Sequence, residues 1–296
     1  MIELRPCESD ADLEAWRRVR IAVTPYERTD SVAELRRSAT RERLMLLAYR
    51  DGELAGSGVG GRGDTAAGFA IPRVLPEQRR RGIGTALLYA LADHVGSLGL
   101  PDVGGSADDA GALAFGRRFG FEEEGRQVEQ VRAVAANEPW PAVPDGIALI
   151  PLDERPELLG RLYNELALDA FEDMPTPRKV EITPEQWASD WVTWPEATFA
   201  ALAGDEIVGM AGLARDVDQP QRAENVLTTV RRDFRGRGIA RVLKETTIAW
   251  ASERGLREIY TWTQTGNENM QAVNEKLGYV TRTVSISLRR PLPLPA

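Results

Sequence analysis

The sequence predicts a mixed α/β protein, with an α+β arrangement around a mixed sheet, in which one domain occurs twice. A short motif rich in arginine and glycine occupies residues 79–84 and returns at residues 235–240. Its middle glycines, Gly82 and Gly238, lie 156 residues apart (238 − 82). Each copy follows a strand-like run and precedes a helix-like run. A repeat at that distance indicates a duplicated domain, because solenoid units repeat about every 20–50 residues.

The elements before the motif recur in both halves. Each half opens with a short apolar strand that ends in proline, at residues 2–6 and 147–151. A hairpin then follows at residues 48–56 and 201–209, where each segment reads as a strand, a polar turn and a second strand ending in glycine. Strands that precede helices in this order favour the mixed class.

The elements around and after the motif are clearest in the second half. A β-branched run at residues 225–230 predicts the strand that leads to the motif. Residues 239–254 carry apolar side chains at helical spacing, and Gly255 ends this helix. A strand at 258–263 and a helix at 269–277 complete the order. The proline-rich residues 136–146 form the expected linker between an N-terminal domain, 1–135, and a C-terminal domain, 147–296.

Composition limits the function classes. The 296 residues carry a net charge of −8, which argues against nucleic-acid or anionic-membrane binding. No window reaches the ~18 apolar residues of a membrane span, and the start lacks a signal-peptide pattern. One cysteine and one histidine disfavour a disulfide, a Cys/His metal site or a histidine-dependent nucleophile. We therefore expect a cytoplasmic protein without metal, as a monomer or homodimer.

The motif itself indicates a phosphate site. Backbone N–H groups at a helix start lack partners within the helix, and the helix dipole favours an anion there. Gly238 lets the backbone approach a phosphate without a Cβ atom in the way. Arg235 and Arg237 add guanidinium donors. An acidic protein with two local arginine clusters fits a small polyanionic ligand.

Both halves resemble the GCN5-related N-acetyltransferase (GNAT) family, whose coenzyme A motif is (Q/R)-x-x-G-x-(G/A). The resemblance includes the terminal L-G-(F/Y), read here as Phe119-Gly120-Phe121 and Leu277-Gly278-Tyr279. It covers nearly the whole chain, and the two-copy arrangement is similar to that of mycothiol synthase and other tandem bacterial acetyltransferases. The resemblance implies two tandem GNAT folds and acetyl-CoA as the co-substrate.

The resemblance also implies cofactor-binding residues. In the family the pantetheine arm lies between two splayed strands, and a backbone N–H near Val230 polarises the thioester carbonyl. The matching positions of the second half are Thr228, Val230, Arg235, Gly236, Arg237, Gly238, Ile239, Ala240 and Asn267. Those of the first half are Val74, Arg79, Arg80, Arg81, Gly82, Ile83 and Gly84.

The family's general acid is missing from both halves. The tyrosine expected four residues before the glycine of the final motif is Gly116 in the first half and Asn274 in the second. The first half also has Asp109 where the second has Asn267, and an anion beside the cofactor is unfavourable. We therefore assign catalysis to the second half and treat the first as degenerate. Asn274 or water would then stabilise the thiolate.

The acceptor side is less determined. Glu224, six residues before Val230, is the candidate base, and the alternative is a solvated edge carboxylate. Asp169 and Asp173 lie one helical turn apart and would receive a cationic acceptor; the alternative is a solvated helix face. Trp262 is a candidate wall of the acceptor pocket. We expect acetyl transfer to a primary amine of a small molecule, and the alternative is a non-catalytic acyl-CoA sensor or partner-binding module.

Overall fold

The computed structural model describes residues 1–63, 67–176 and 178–295 and divides into two compact units. The first unit comprises Met1–Gly125 and Ser285–Ala296, and the second comprises Arg126–Val284. Each unit is a mixed α/β fold, as predicted.

The first unit contains most of the N-terminal elements. A capping box at Ser9 starts its first helix, where the serine side chain accepts from the Asp12 N–H and the Asp12 carboxylate accepts from the Ser9 N–H. Its elements are β1 (Ile2–Pro6), α1 (Asp10–Val23), α2 (Val32–Ser38), β2 (Arg43–Arg50), β3 (Glu53–Arg62), β4 (Gly68–Val74), α3 (Ile83–Ser97), β5 (Asp102–Ala107), α4 (Ala110–Arg118) and the start of β6 (Glu122–Ala133).

The second unit repeats this order with a more irregular helical segment after its first strand. Two π-helical stretches, Tyr163–Ala167 and Trp187–Trp191, interrupt its early helices. Its elements are β7 (Ala148–Pro151), α5 (Leu158–Leu162), α6 (Leu168–Asp173), α7 (Pro184–Gln186), β8 (Thr198–Ala203), β9 (Glu206–Arg215), β10 (Arg222–Val230), α8 (Ile239–Glu253), β11 (Glu258–Gln264), α9 (Glu268–Lys276) and the start of β12 (Val280–Pro291).

The last strand of each sheet comes from a distant part of the chain. In the first unit the strand order is β1-β2-β3-β4-β5-β12, with residues 286–291 antiparallel to β5. In the second unit the order is β7-β8-β9-β10-β11-β6, with residues 127–133 antiparallel to β11. The compact units therefore differ from the expected domains at 1–135 and 147–296, since sequence position does not reveal which sheet a last strand joins.

The first core lies between α3 and its sheet. Leu87, Leu91 and Val95 of α3 are fully buried, and Leu288 of β12 joins the same cluster. A Cβ atom at Gly58 of β3 would lie 2.9 Å from a methyl carbon of Leu91, so the glycine-rich strand lets the helix come close. This packing fixes the start of α3 beside the end of β4.

A buried ion network holds the last strand of the second unit. Glu129 of β6 is fully buried, and its carboxylate accepts from Arg222 of β10 at 3.0 Å and from Arg282 of β12 at 2.8 Å. Glu258 of β11 accepts from the same two arginines at 2.7 and 3.0 Å. The ring of Tyr260 lies 3.8 Å below the guanidinium of Arg222. These charges are paired, as buried charges must be.

Candidate active site

The predicted phosphate loops have the same backbone in both units. Gly82 and Gly238 occupy the N-cap positions of α3 and α8 with φ values of 84° and 79°. Two residues earlier, Arg80 and Gly236 also have positive φ, at 64° and 78°. The left-handed conformation is strained for arginine and free for glycine. Both loops therefore direct the first N–H groups of a helix outward, as an anion site requires.

The two strands beside each loop separate before they reach it. Within the described residues, β4 and β5 pair at Gly68–Val103 and Phe69–Gly104. In the second unit β10 and β11 pair over three residues, from Arg222–Glu258 to Glu224–Tyr260. Beyond these residues the two parallel strands of each unit diverge. A gap therefore separates their carboxyl ends. Both gaps lie where the family resemblance places the pantetheine arm.

In the first unit this gap opens into a cavity of about 840 Å³. That volume is within the range of pockets that bind small molecules, roughly 300–1,000 Å³. The wall combines the end of β4 around Val74, the loop residues Arg79 and Gly82, and Gly105 of β5. The loop after α1 closes the far side. The cavity therefore runs from the loop before α3 to the loop after α1.

The arginines of the two loops differ in their electrostatic state. Arg79, Arg80 and Arg81 are exposed and have no ion-pair partner among the described residues. Arg79 donates to the carbonyl of Val74 at 3.3 Å, and Arg81 to the Gln78 side chain at 3.2 Å. The first loop therefore offers uncompensated positive charge to a polyanion.

In the second unit one arginine of the motif, Arg235, is paired with an acidic neighbour. Asp173 of α6 accepts from Arg232 at 2.7 Å and from Arg235 at 2.5 Å. These hydrogen bonds lower the pKa of Asp173 to about 2, so the carboxylate stays charged. The Arg235 guanidinium also donates to the carbonyl of Val230, and Arg237 to that of Asp233. Asp173, for which the sequence predicts a role in receiving the acceptor, lies against Arg232 and Arg235.

The gap of the second unit is bridged by polar side chains. The Thr261 hydroxyl donates to the backbone carbonyl of Asn225 at 2.9 Å, across the diverging strands. The Lys244 ammonium donates to the Asn225 side chain and lies 5.2 Å from the ring of Tyr279. At the equivalent positions, 156 residues earlier, the first unit has Gly105 and Leu88 in its cavity wall.

Lys244 is buried without a described carboxylate partner. It is 1% exposed, and burial lowers its pKa to about 7. The cause is desolvation, which disfavours the charged ammonium. The equivalent residue of the first unit, Leu88, lines the cavity.

The predicted catalytic residues of the second unit lie on strand β10 and on helix α9. Glu224 is half-buried and accepts from Tyr260 at 3.4 Å, at the point where β10 and β11 separate. Val230 is buried at the end of β10. Asn274 is fully buried, and its amide donates to Gln130 at 2.8 Å. The structure therefore brings Glu224 and Val230 to the same strand and places Asn274 in the core.

The remaining predicted residues have local roles. Thr228 donates to the side chain of Asn225 at 3.0 Å. Asn267 caps α9 by accepting from the Met270 N–H at 3.4 Å, and Asp109 caps α4 in the same way at 2.7 Å. The two caps thus do the same structural work in both units. Asp169 is exposed on α6 and Trp262 is half-buried on β11.

Sequence reasoning missed a polar cluster in the wall of the first cavity. We call Tyr26, Glu27, Arg73 and Asp108 the acceptor-side cluster. The Tyr26 hydroxyl donates to Asp108 at 2.8 Å, and Arg73 donates to Glu27 at 3.1 Å. The cluster joins the loop after α1 to the ends of β4 and β5. No spacing rule connects these positions, although Arg73 is a charged residue in an otherwise apolar strand.

Comparison with known proteins identifies the fold and its chemistry. The model of the Acetyltransferase (GNAT) family matches residues 12–121 and again residues 160–279. The chain belongs to the GNAT family. The two matches confirm the duplication, and each match ends on the aromatic residue of the final L-G-(F/Y) motif.

The GNAT relatives include full-length enzymes. A mycothiol acetyltransferase from Geodermatophilus obscurus is 25% identical over 258 residues, covering 84% of this chain and 82% of the relative. One from Catenulispora acidiphila is 28% identical over 223 residues, covering 72% and 69%. The protein is therefore an acetyltransferase, as predicted.

Solved GNAT structures share the fold over the whole chain. A tandem GNAT protein from the clavulanic acid biosynthesis pathway superposes with a TM-score of 0.77 at 18% identity, with full coverage of both chains. A GNAT protein from Sphaerobacter thermophilus gives 0.76 at 21%, covering 98% and 95%. The expected tandem arrangement is confirmed.

Within residues 1–63, 67–176 and 178–295, no helix is long and apolar enough to span a membrane. The same stretches contain no group of three or more histidine, cysteine, aspartate or glutamate side chains arranged to hold a metal ion.

Proposed function

We propose that this GNAT protein transfers the acetyl group of acetyl-CoA to a primary amine of a small molecule, by direct attack in a ternary complex, and that the first unit holds the cofactor. The observation that carries the proposal is the cavity of about 840 Å³ where the open strand gap meets the phosphate loop. The second unit has a bridged gap, and its Arg235 is paired with Asp173, so its geometry supports the cofactor less well.

The residues of the first unit fit acetyl-CoA. The N–H groups at the start of α3 and the exposed Arg79, Arg80 and Arg81 suit the phosphates. The gap between β4 and β5 accommodates the narrow pantetheine arm. Val74, at the end of β4, would present a backbone N–H to the thioester carbonyl. Bound acetyl-CoA supplies a thioester that an amine can attack.

The reaction requires a neutral amine and a leaving thiolate. The amine nitrogen forms a bond to the acetyl carbon, the carbon–sulfur bond breaks, and a proton passes from the nitrogen to solvent or a nearby base. Gly116 leaves the first unit without the family's tyrosine acid. A thiol has a reference pKa near ~8.5, so its thiolate departs tolerably at neutral pH. General acid catalysis is worth ~10²–10⁴-fold, so turnover without the tyrosine is expected to be slower.

The second unit is the other candidate for the chemistry. Glu224 accepts from Tyr260 where β10 and β11 separate, which is where a base would stand beside an acceptor. The assignment of catalysis to this copy stays a prediction, with Glu224 as base and Val230 as the oxyanion donor. It requires the bridge of Thr261 to Asn225 to open when the cofactor arrives.

Matched glycine variants separate the two units. Gly82→Asp adds a carboxylate to the first phosphate loop, and Gly238→Asp does the same in the second. Gly99 and Gly255, at the ends of α3 and α8, have similar positive φ and open surroundings, so Gly99→Asp and Gly255→Asp control for backbone strain. Calorimetric titration with acetyl-CoA measures binding, and thiol release with an amine panel measures turnover.

We expect Gly82→Asp to abolish most acetyl-CoA binding and all turnover, while Gly99→Asp keeps both. Loss of turnover with Gly238→Asp alone would transfer the chemistry to the second unit. Absence of acetyl-CoA binding to the unmodified protein would overturn the proposal as a whole.

A further inference from the structure

The acceptor-side cluster contains polar atoms that the protein leaves unsatisfied. Arg73 is 6% exposed, and its Nε and Nη1 atoms have no hydrogen-bond partner among the described residues. The Oδ1 atom of Asp108 is likewise buried without a partner. Both side chains line the cavity of the first unit. Buried polar groups in native proteins are almost always hydrogen-bonded, so such atoms at a cavity need an explanation.

The other members of the cluster are already engaged. The Glu27 carboxylate accepts from Arg73 at 3.1 Å, from Arg20 at 3.2 Å and from the Thr24 hydroxyl at 3.2 Å. Nearby arginines offset the burial of this carboxyl, and its pKa is lowered. Glu27 is therefore an anchor for Arg73 and is not available to a ligand.

Tyr26 orients Asp108. Its hydroxyl donates to Oδ2 of Asp108 at 2.8 Å, which leaves Oδ1 as the free acceptor. Asp109, the next carboxylate in the wall, accepts from the backbone of α4 and acts as its cap. Among the carboxylates that line the cavity, Asp108 therefore has an oxygen that can accept a further hydrogen bond.

Counted together with Arg20, which donates to Glu27 at 3.2 Å, the charges of the cluster are balanced without a ligand. Arg20 and Arg73 carry two positive charges, and Glu27 and Asp108 carry two negative ones. Asp108 acts electrostatically on Arg73, so the two unsatisfied groups are neighbours of opposite sign. A ligand with a single charge would unbalance this buried cluster, whereas a ligand with one charge of each sign would not.

We propose that the acceptor is a zwitterion of the α-amino-acid class, with its carboxylate on the free N–H groups of Arg73 and its amine on Oδ1 of Asp108. The inference rests on the proposed function of the first unit and names the substrate class for it. A guanidinium suits this role because it binds carboxylates through two parallel hydrogen bonds. The three atoms are buried in this structure, so a ligand reaches them only when side chains of the wall move.

Substrate pairs that differ by one carboxylate test the proposal. L-Phenylalanine with phenethylamine, L-tyrosine with tyramine, and L-histidine with histamine are compared by thiol release from acetyl-CoA. For pairs that are turned over, we expect kcat/KM to be about 100-fold higher for the amino acid, since a site built for a polar group rejects the analogue lacking it. Equal or better use of the amine would overturn the inference and leave the proposed acetyl transfer standing.

Conservative variants test whether Arg73 and Asp108 produce the preference for the amino acid over the amine. Arg73→Lys keeps a positive charge beside Glu27 but loses the paired donors, and we expect the preference to fall about tenfold through the acceptor KM. Asp108→Asn is nearly isosteric and should raise the acceptor KM for both members of a pair. Asp93→Asn, on the exposed face of α3, is the control. The KM for acetyl-CoA should not change in any of them.

Two outcomes separate this inference from the proposed function. An unchanged amino-acid preference in Arg73→Lys, with the fold verified by thermal unfolding, would overturn the role of Arg73. If no amine is turned over, the same amino acids are titrated calorimetrically into the coenzyme A complex. Binding to the unmodified protein that is lost in Arg73→Lys supports the site. No binding to the unmodified protein overturns the inference. Failure of acetyl-CoA to bind overturns the proposed function first.

Discussion

The hydroxyl of Thr261 lies 2.9 Å from the backbone carbonyl oxygen of Asn225 and joins two strands that otherwise diverge. In the first unit the equivalent residue is Gly105, and the gap there is open. Lys244 adds a second contact to Asn225, where the first unit has Leu88. Thr261 and Lys244 therefore distinguish the bridged gap of the second unit from the open gap of the first.

Removing the bridge should give the second unit a cofactor site. We expect Thr261→Gly combined with Lys244→Leu, in the Gly82→Asp background, to restore acetyl-CoA binding that Gly82→Asp alone loses. Both changes copy the residues of the open unit. Isothermal titration at fixed salt measures the gain. Thr261→Val with Lys244→Leu is the control, since it removes the hydrogen bond but keeps the bulk of the side chain. Restored binding in this control would contradict the idea that side-chain bulk closes the gap.

Lys244 should make stability depend on pH. Its pKa is about 7 in the folded protein and near 10.5 when unfolded, so the unfolded chain binds more protons between these values. The free energy of unfolding therefore rises with pH from about 7 to 10. Below pH 7 the folded protein bears the full cost of burying the charged ammonium. That penalty is about 3–5 kcal/mol as an upper bound. Lys244→Leu should remove this rise, as measured by urea unfolding at several pH values.

The exposed Lys276 of α9 provides the comparison for that series. Lys276→Leu removes the same charge at the surface and should leave the slope of unfolding free energy against pH close to that of the unmodified protein. An identical slope in Lys244→Leu and the unmodified protein would mean that the Lys244 amine is solvated.

Glu129 should be critical for the second unit. Glu129→Gln removes the buried carboxylate that accepts from both Arg222 and Arg282, and breaking such a network costs about 3 kcal/mol. Chemical unfolding, followed by the fluorescence of the tryptophans of the second unit, measures the loss. Glu275→Gln, on the exposed face of α9, should change stability by less than about 0.5 kcal/mol.

Gly116 marks the contact between α4 and the last strand of the first unit. A Cβ atom there would lie 2.6 Å from a methyl carbon of Leu288, so Gly116→Ala should destabilise the protein by about 1–3 kcal/mol. Gly160, in α5, has open space around it, and Gly160→Ala should be neutral or stabilising by up to about 1 kcal/mol. Thermal unfolding compares the two. Equal effects would show that crowding at Leu288 is not the cause.

The local features of the fold could be predicted from the sequence. The periodicity of residues 239–254 and the stop at Gly255 anticipate α8, which runs from Ile239 to Glu253. The hairpin at 201–209 is confirmed by the pairing of β8 with β9. These signals depend on neighbours along the chain, and so does the left-handed glycine at each helix start.

The candidate site could be predicted only where it follows a motif. The spacing of Asp169 and Asp173 predicts an acidic helix face, but it does not reveal the arginines that bond Asp173, because Arg232 and Arg235 are 59 and 62 residues away. The cluster of Tyr26, Arg73 and Asp108 depends on a loop, a strand end and a second strand end meeting in space. Neither set of contacts produces a periodic pattern in the sequence, because tertiary packing brings the residues together.

Each unit completes its sheet with a strand from a distant part of the chain, so the chain cannot be cut at the linker without damage to both sheets. A gene fragment ending in the linker at 136–146 would encode a first unit whose β5 lacks its neighbour, residues 286–291, and would expose a bare sheet edge. The complementary fragment would leave β11 without residues 127–133. Neither half can therefore be lost, shuffled or inherited separately without rebuilding the edge of its sheet.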